Sequence, residues 1–538
     1  MLSACSTLPP YRVPSVDVPA HYAGAPLAAA AGWVPSTPAD GMPRGAWWTV
    51  FGDPDLNRLE ARVDISNQTV GNAVAQLQQA RSMVDYQRAG FFPTVTAGLA
   101  ADRFRTSQNV EGHSLAGQTV PDYSVGLTAS WEPDLFGRVR DATEAARANA
   151  QASAADLEAV RLSVSADLAL DYFALRSLDT QKQLLDRTVT ADAAALKLLQ
   201  QQLRDGAIDA SAVAQATTQL ESTRTQDSDI DVSRDQLQHA IATLVGEPAS
   251  TFSLPPLAAS SAPSALPAIP TIPAIPTIPT IPTIPTIPTI PTIPTIPTIP
   301  TIPTIPAGLP SQLLERRPDV AAAERRVAAA NAQIGEAHAA FFPDLLLSAS
   351  AGLESTFFGP WLTAPSLFWS LGPQLAGTLF DGGRREATLH GATAQYDGAV
   401  ADYRQSVLVA FQQVEDNLSA LHTLADEAVS QHRATAAADL SLRLTTNRYQ
   451  AGAVSYLDVV TAQTIALTNE RNDEQIDARR FAASVALLKA LGGPWDAPGE
   501  QKVTPGEQKV MPGEQKVAPG DQKVTPVAQT VSRAGKSG

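Results

Sequence analysis

Glu315, Arg316, Arg317 and Asp319 stand together around Pro318, two carboxylates beside two guanidinium groups. Such a cluster could hold an oxyanion or pass a proton. The same residues in front of a proline also describe a helix entry with structural ion pairs, because proline and acids both suit the first helical turn. Helix entry is the better reading, because the rest of the chain offers no chemistry for the cluster to join. None of the seven histidines pairs with an acid or cysteine at metal-ligand spacing. There is no GxSxG elbow and no phosphate-binding glycine loop. The single cysteine, Cys5, permits no intramolecular disulfide and leaves thiol chemistry little to work with. The sequence predicts no enzyme, no metal and no cofactor beyond a covalent lipid.

That lipid would sit on Cys5. Leu2-Ser3-Ala4-Cys5 has the small residues that precede a bacterial lipoprotein cysteine, and a tether with Pro9, Pro10, Pro14 and Pro19 follows. Ser6 after the cysteine does not look like an inner-membrane retention signal. No run of apolar residues is long enough for a membrane-spanning helix. A membrane role therefore needs strands or an anchor. The net charge of −15 argues against nucleic acid as a partner, since phosphate binding wants a basic face.

The elements that would position these groups come in two copies. Phe91-Phe92-Pro93 returns as Phe341-Phe342-Pro343, and Leu135-Phe136 before Gly137 returns as Leu379-Phe380 before Asp381-Gly382. Gly206-Ala207-Ile208 returns as Gly452-Ala453-Val454, and Leu244-Val245-Gly246 as Ala490-Leu491-Gly492, at one shared offset. A 1–46 leader and tether, a first repeat over 47–254, a Thr-Ile-Pro linker over 255–308, a second repeat over 309–495 and a tail over 496–538 make up the chain.

Each repeat holds two segments of period two, the signature of strands. Val95, Ala97, Leu99 and Ala101 share one face of the first, and Tyr123, Val125, Leu127, Ala129 and Trp131 one face of the second. In the second repeat Leu345, Leu347, Ala349, Ala351 and Leu353 align, followed by Trp369, Leu371, Leu375 and Leu379. The opposite faces carry small hydroxyls and glycines, which suit a wet lumen. Phe91, Phe92, Trp131, Phe357, Phe358, Trp361, Phe368, Trp369 and Phe380 cluster at segment ends, as interface girdles do. Four such strands cannot sit in lipid alone, because open edges leave backbone amides unpaired. Closed barrels begin at about eight strands, so other copies must complete this one.

A very long helical stretch follows each strand pair. No proline lies between Pro133 and Pro248 or between Pro373 and Pro494, and no glycine between Gly137 and Gly206, in a chain with 42 prolines. A helix from Arg138 to Arg204 would span roughly 100 Å. Turns at Gly206 and Gly452 would return the chain and build coiled-coil hairpins. The Thr-Ile-Pro run from Ile269 to Pro306 forbids helix and favours polyproline II. The repeats from Pro498 to Pro526 carry Pro-Gly in each unit and read as a disordered tail.

Leu309-Pro310-Ser311-Gln312-Leu313-Leu314-Glu315-Arg316-Arg317-Pro318-Asp319-Val320, then Ala323-Glu324, Ile334-Gly335 and Phe342-Pro343, resembles the signature of outer-membrane factors of tripartite efflux pumps. These are the TolC-like channels, and the chain is most similar to their OprM-like, NodT-type lipoprotein branch. Trp47-Trp48 with Phe51 and Asp53-Pro54, Leu379-Phe380-Asp381-Gly382-Gly383-Arg384, and Arg448-Tyr449 with Gly452, Tyr456-Leu457-Asp458 and Gln463 resemble further motifs of the family.

The resemblance implies a mixed α/β membrane protein: a homotrimer whose twelve-stranded β-barrel, four strands per chain, continues into a long α-helical barrel in the periplasm. It implies a passive exit duct for small molecules, anchored in the bacterial outer membrane and fed by an inner-membrane pump through a periplasmic adaptor protein. Type I protein secretion is the alternative within the fold, and a non-conducting periplasmic coiled-coil scaffold the alternative outside it. In this family polar contacts on the inner helix of the second hairpin hold the tip closed. Tyr449 and Asp458 match those positions, and Thr461 stands where an acid is often found. The basic residue found near Val454 in TolC-like members is absent. Gly206 and Gly452 would mark the hairpin tips that meet the adaptor.

Overall fold

The computed structural model describes residues 11–19, 22, 45–109, 117–257 and 316–493. Cys5, the Thr-Ile-Pro run, Leu309–Glu315 and the C-terminal repeats lie outside the described residues. The chain divides at Pro494, and all of Trp495–Gly538 falls outside them too.

Within the first unit the order of elements repeats. After a short 3-10 turn at Trp47–Phe51 come α1 (Pro54–Ser66), α2 (Gln68–Ala89), β1 (Thr94–Arg105), β2 (Thr119–Trp131), α3 (Arg138–Arg204) and α4 (Ala210–Leu244). Then follow α5 (Pro318–Ala339), β3 (Asp344–Ser355), β4 (Leu367–Ala376), α6 (Arg384–Gln450) and α7 (Tyr456–Ala490). Helices α3 and α6 each have 67 residues, α4 and α7 each 35, and α2 and α5 each 22. Helix α3 matches the range that the missing proline and glycine predict, and α6 lies within the proline-free stretch of the second copy and ends before the turn at Gly452. Each starts after a glycine in the left-handed region, Gly137 (φ 87°) and Gly383 (φ 88°). In front of each an aspartate accepts from the first free amides. Asp134 takes Val139 and Arg140 (3.1 and 2.9 Å), and Asp381 takes Gly383 and Arg385 (3.1 and 3.2 Å).

This alignment corrects one detail of the repeat. The structural partner of Gly137 is Gly383, so Phe136 and Phe380 do not occupy equivalent places, although their sequence context matches. Phe136 stacks on Phe342 at 4.7 Å. Phe380 is 88% exposed.

The strands form one antiparallel sheet in the order β1-β2-β3-β4, with β1 and β4 as open edges. Register assigns the faces. Leu99, Val125, Leu353 and Leu367 lie in one cross-strand row, and Ala97, Leu127, Ala351 and Trp369 in another, so one face is apolar. The other carries Thr96, Thr128, Ser350 and Ser370, with Ser350 and Ser370 hydroxyls 2.9 Å apart. The apolar face is bare, with Leu99 73%, Leu371 76% and Leu375 70% exposed. A face of large apolar groups left open to solvent is the reverse of a half-buried soluble sheet.

Two sequence expectations change here. The period-two pattern extends the last strand to Leu379, but β4 stops at Ala376 and Leu379 is fully exposed. The ladder ends at the Asp344–Ala376 pair because Pro343 beyond it has no amide to donate. Phe368, grouped by sequence with the girdle aromatics, lies on the polar face instead. It opposes Gly352 in a row with Gly126 and Gly98, and its ring covers the first two.

The described apolar core runs along the helices. Trp47, Phe51, Leu56, Tyr172, Phe173 and Phe481 join α1, α3 and α7, and Phe173 stacks on Phe481 at 4.8 Å. A second cluster joins Val320, Tyr403, Val407 and Leu487 on α5, α6 and α7 with Tyr22 of the N-terminal segment. Among the described residues no helix is long and apolar enough to cross a membrane.

Candidate functional site

The two hairpin tips are built alike. Helix α3 ends with Gly206 at φ 70°, where the amide of Ala207 reaches back to the Gln202 carbonyl (2.8 Å). Helix α6 ends with Gly452 at φ 72°, and Ala453 reaches back to Arg448 (2.9 Å). Both are the left-handed glycine stop that closes orphan carbonyls. The return helices are capped differently. The Asp209 carboxylate accepts from the amides of Ser211 and Ala212. Ser455 and Asp458 form a reciprocal capping box, the Ser455 amide donating to Asp458 at 2.9 Å and the Ser455 hydroxyl at 2.7 Å.

That places two of the three sequence-named tip residues in local roles. The Asp458 carboxyl, fully exposed, is held below the usual aspartate range by the Ser455 hydroxyl first and then the Ser455 amide. The Thr461 hydroxyl donates to the Leu457 carbonyl of its own helix (2.9 Å) and is exposed. Tyr449 is different, because it touches the other hairpin: its hydroxyl lies 3.4 Å from Gln202 Oε1 and its ring meets Tyr456 edge-on at 5.6 Å. Both rings join Leu199, Ala216 and Val459 in an apolar cluster between α3, α4 and α7. Burial raises the Tyr456 hydroxyl to about 12.

Deeper in the bundle a polar node, which sequence reasoning missed, ties three helices together. Asp192 of α3 is 1% exposed. It accepts from Gln463 of α7 (2.6 Å) and from the Thr223 hydroxyl of α4 (3.0 Å). Burial pushes its carboxyl upward, while these two donors act against that. Gln463 belongs to the motif set, and its partner was the missing half. Nearby, Arg471 of α7 donates to Gln226 of α4 (2.7 Å). Helix α7 is thus held to the first hairpin by Gln463 on the buried Asp192, by Arg471 on Gln226 and by the exposed Lys489–Asp167 ion pair (3.4 Å).

The Arg316–Asp319 cluster is structural. Arg317, 7% exposed, grips Asp319 through two bonds (3.0 and 2.6 Å), Gln413 of α6 (2.7 Å) and the Ala490 carbonyl at the end of α7 (3.2 Å). Its counterpart in the first repeat is Asn67, which caps α2 and donates to the Leu244 carbonyl at the end of α4 (2.8 Å). Helix entry with ion pairs is therefore what the cluster does. Among the described residues no group of three or more His, Cys, Asp or Glu could hold a metal.

A sequence profile of outer membrane efflux proteins matches residues 61–247 and 309–493. The cation efflux system protein CusC of Escherichia coli O6:H1 is 28% identical over 499 residues, 92% of this chain and 96% of the relative. The solvent efflux pump outer membrane protein SrpC of Pseudomonas putida is 29% identical over 502 residues, 92% of this chain and 96% of the relative. A crystal structure of a membrane protein from Pseudomonas aeruginosa has a TM-score of 0.75 at 27% identity, covering 91% of this chain and all of that one (100%).

Proposed function

This chain belongs to the outer membrane efflux protein family, and from that premise we propose that three copies close into one conduit, the exit duct of a tripartite pump. It is an outer membrane efflux channel with a mixed fold, mostly helical with a small sheet. One observation carries the trimer reading. The sheet has an apolar and a polar face with both edges open, and α2 and α6, the helices next to those edges, are largely bare on their outer flanks. A surface left open on opposite sides of one protomer suits a head-to-tail contact, which forms a ring when the rotation between copies closes. Three sheets of four strands would leave a lumen lined by the hydroxyl and glycine face, with the apolar face toward lipid.

Passage through the duct is passive: the chain offers no energy source, so an inner-membrane pump must drive substrate through a periplasmic adaptor. The tips at Gly206 and Gly452 would meet that adaptor. There the conduit would close, with Tyr449 holding the second hairpin to the first; Asp458 would act through its cap and Thr461 through its helix. Lipid on Cys5 would add an anchor to the barrel. Relatives are named for cations and for solvents, which fits a permissive wet wall with substrate choice made by the pump.

Planar-bilayer recording tests this. Purified protein should conduct once the tip is loosened by Asp192→Ala with Tyr449→Phe. A protein that inserts as a trimer yet never conducts, with or without those changes, would mean a scaffold and not a duct.

A further inference from the structure

The sheet sorts its charges by sign. Its four strands hold two basic residues, Arg103 and Arg105, and four acids, Asp102, Asp122, Asp344 and Glu354. The ladders run without a break, so side chains alternate between the two faces along every strand. Arg103 and Arg105 share the face of Leu99 and Ala101, whereas all four acids share the face of Thr96, Thr128 and Ser350. Two guanidinium groups thus stand on an apolar face where no strand offers them a carboxylate. Opposite them on β2 are Pro121 and Thr119. Both arginines are exposed. Their backbone is fixed, because pairing runs past them to Thr106, whose carbonyl accepts from the Gly117 amide (2.9 Å).

Their level in the sheet is as specific as their face. Strand β1 follows Phe91-Phe92-Pro93, and α3 leaves the sheet at that same end. From Thr94 to Arg103 the strand advances about 30 Å, or roughly 23 Å along the membrane normal at a tilt of about 40°. The apolar band of an outer-membrane barrel is about 25 Å tall. Arg103 and Arg105 therefore stand at the far interface, on the side away from the helices. Aromatic rings mark the same level. Tyr123, diagonal to Arg103, meets Phe358 at 5.5 Å and Trp361 at 5.8 Å, and the Trp361 indole donates to the Leu353 carbonyl (3.3 Å). Rings with an apolar body and a polar tip suit a headgroup layer.

We propose that Arg103 and Arg105 bind the phosphates of an anionic glycolipid in the outer leaflet. This rests on the barrel proposed above and adds a ligand to its outer surface. A guanidinium matches phosphate through two parallel hydrogen bonds. Two of them on one face of a strand, about 7 Å apart, span a single phosphorylated headgroup. The lipid supplies the counter-ions that the sheet withholds, and the four acids face away from it.

Labelled lipid A tests the site. Full-length protein in mild detergent is mixed with lipid A carrying both phosphates, and the lipid that co-elutes on sizing is counted. Wild type should retain it, and Arg103→Gln with Arg105→Gln should bind it about tenfold more weakly. Arg103→Lys with Arg105→Lys keeps the charge and should fall between. Dephosphorylated lipid A should bind wild type as weakly as the intact form binds the Gln variant. Equal retention of intact lipid A by wild type and the Gln variant overturns the site, and so does equal retention of the two lipids by wild type. Phosphatidylglycerol bound as tightly as lipid A overturns the choice of a glycolipid. If the Gln variant does not assemble, the two lipids on wild type decide alone. Protein that elutes as a soluble species without detergent defeats the barrel, and the site with it. Detergent-dependent protein whose Gln variant keeps its lipid A defeats the site alone.

Discussion

Helices α3 and α6 have the same length, the same glycine entry and the same glycine exit, yet they live in different surroundings. Among the described residues helix α3 packs along α2, α4, α5 and α7, whereas α6 packs mainly along α5 and α7. Leu162 and Leu408 hold equivalent positions on the two helices; the first is 8% exposed and the second 58%. One sequence plan thus gives a finished helix in the first half and a half-finished one in the second. Under the proposed ring the difference locates the missing neighbour: what α5 does for α3 inside the chain, the α2 of another copy would do for α6.

The largest effect expected from breaking this comparison is loss of assembly. Leu408→Asp should convert trimer to monomer in detergent sizing, because a carboxylate would be buried at the seam, and leave helix content by circular dichroism unchanged. Leu162→Asp should instead reduce folded protein altogether, since Leu162 is buried within a single chain.

Next come the internal supports. In the first repeat Asp179, 2% exposed, takes Arg176 (2.9 Å) and Arg234 (2.7 Å), and both arginines also donate to carbonyls of the segment that follows α4. Asp179→Ala leaves two guanidinium groups without their shared acid and should cost about 3–5 kcal/mol in denaturant unfolding. Arg317→Asn copies the neutral joint of the first repeat into the second and should cost less, about 2 kcal/mol.

Smaller still is the contrast between two glycines with φ near +70°. A Cβ on Gly246 would press into the Ser66 carbonyl, while one on Gly206 meets open space. Gly206→Ala should cost about 1–2 kcal/mol for the left-handed backbone alone, and Gly246→Ala measurably more by thermal melting.

The smallest effects are in pH, and they have opposite signs within the second hairpin. The Asp458 cap stabilises when ionised; its folded value is lowered, so this contribution is present above about pH 4 and fades as pH falls through the folded value. Glu470 and Glu474 are raised to about 7, by burial first and then by Asp439 and Asp477 respectively. Both bind protons more tightly folded than unfolded, so they reduce stability as pH rises from about 4.5 to 7. Melting temperature of Glu470→Gln with Glu474→Gln should lose that slope; an unchanged slope would remove both residues from the account.

Much of the fold was legible because its signals are local. Absent proline and glycine mark α3 from end to end, and period two marks the strands where their side chains alternate between an apolar and a polar face. The alternation failed at Leu379, where it ran past the last amide able to pair. Ser455 and Asp458 carry the serine-to-acid spacing of a capping box, so the local role of Asp458 was readable at that stage. Asp192 and Asp179 were not readable. Each looks like one more polar residue on a long helix, and only partners on other helices, such as Gln463 or Arg234, reveal the burial. Among the sequence motifs, the Arg-Arg-Pro-Asp run pointed to a joint and not to a reaction.

The central claim is that each chain is one third of a closed conduit. Native mass spectrometry of protein released from outer membranes tests it most directly. The account predicts a dominant species at three times the 56.6 kDa chain, allowing for lipid. A dominant monomer, or a ring of any other number, would contradict it.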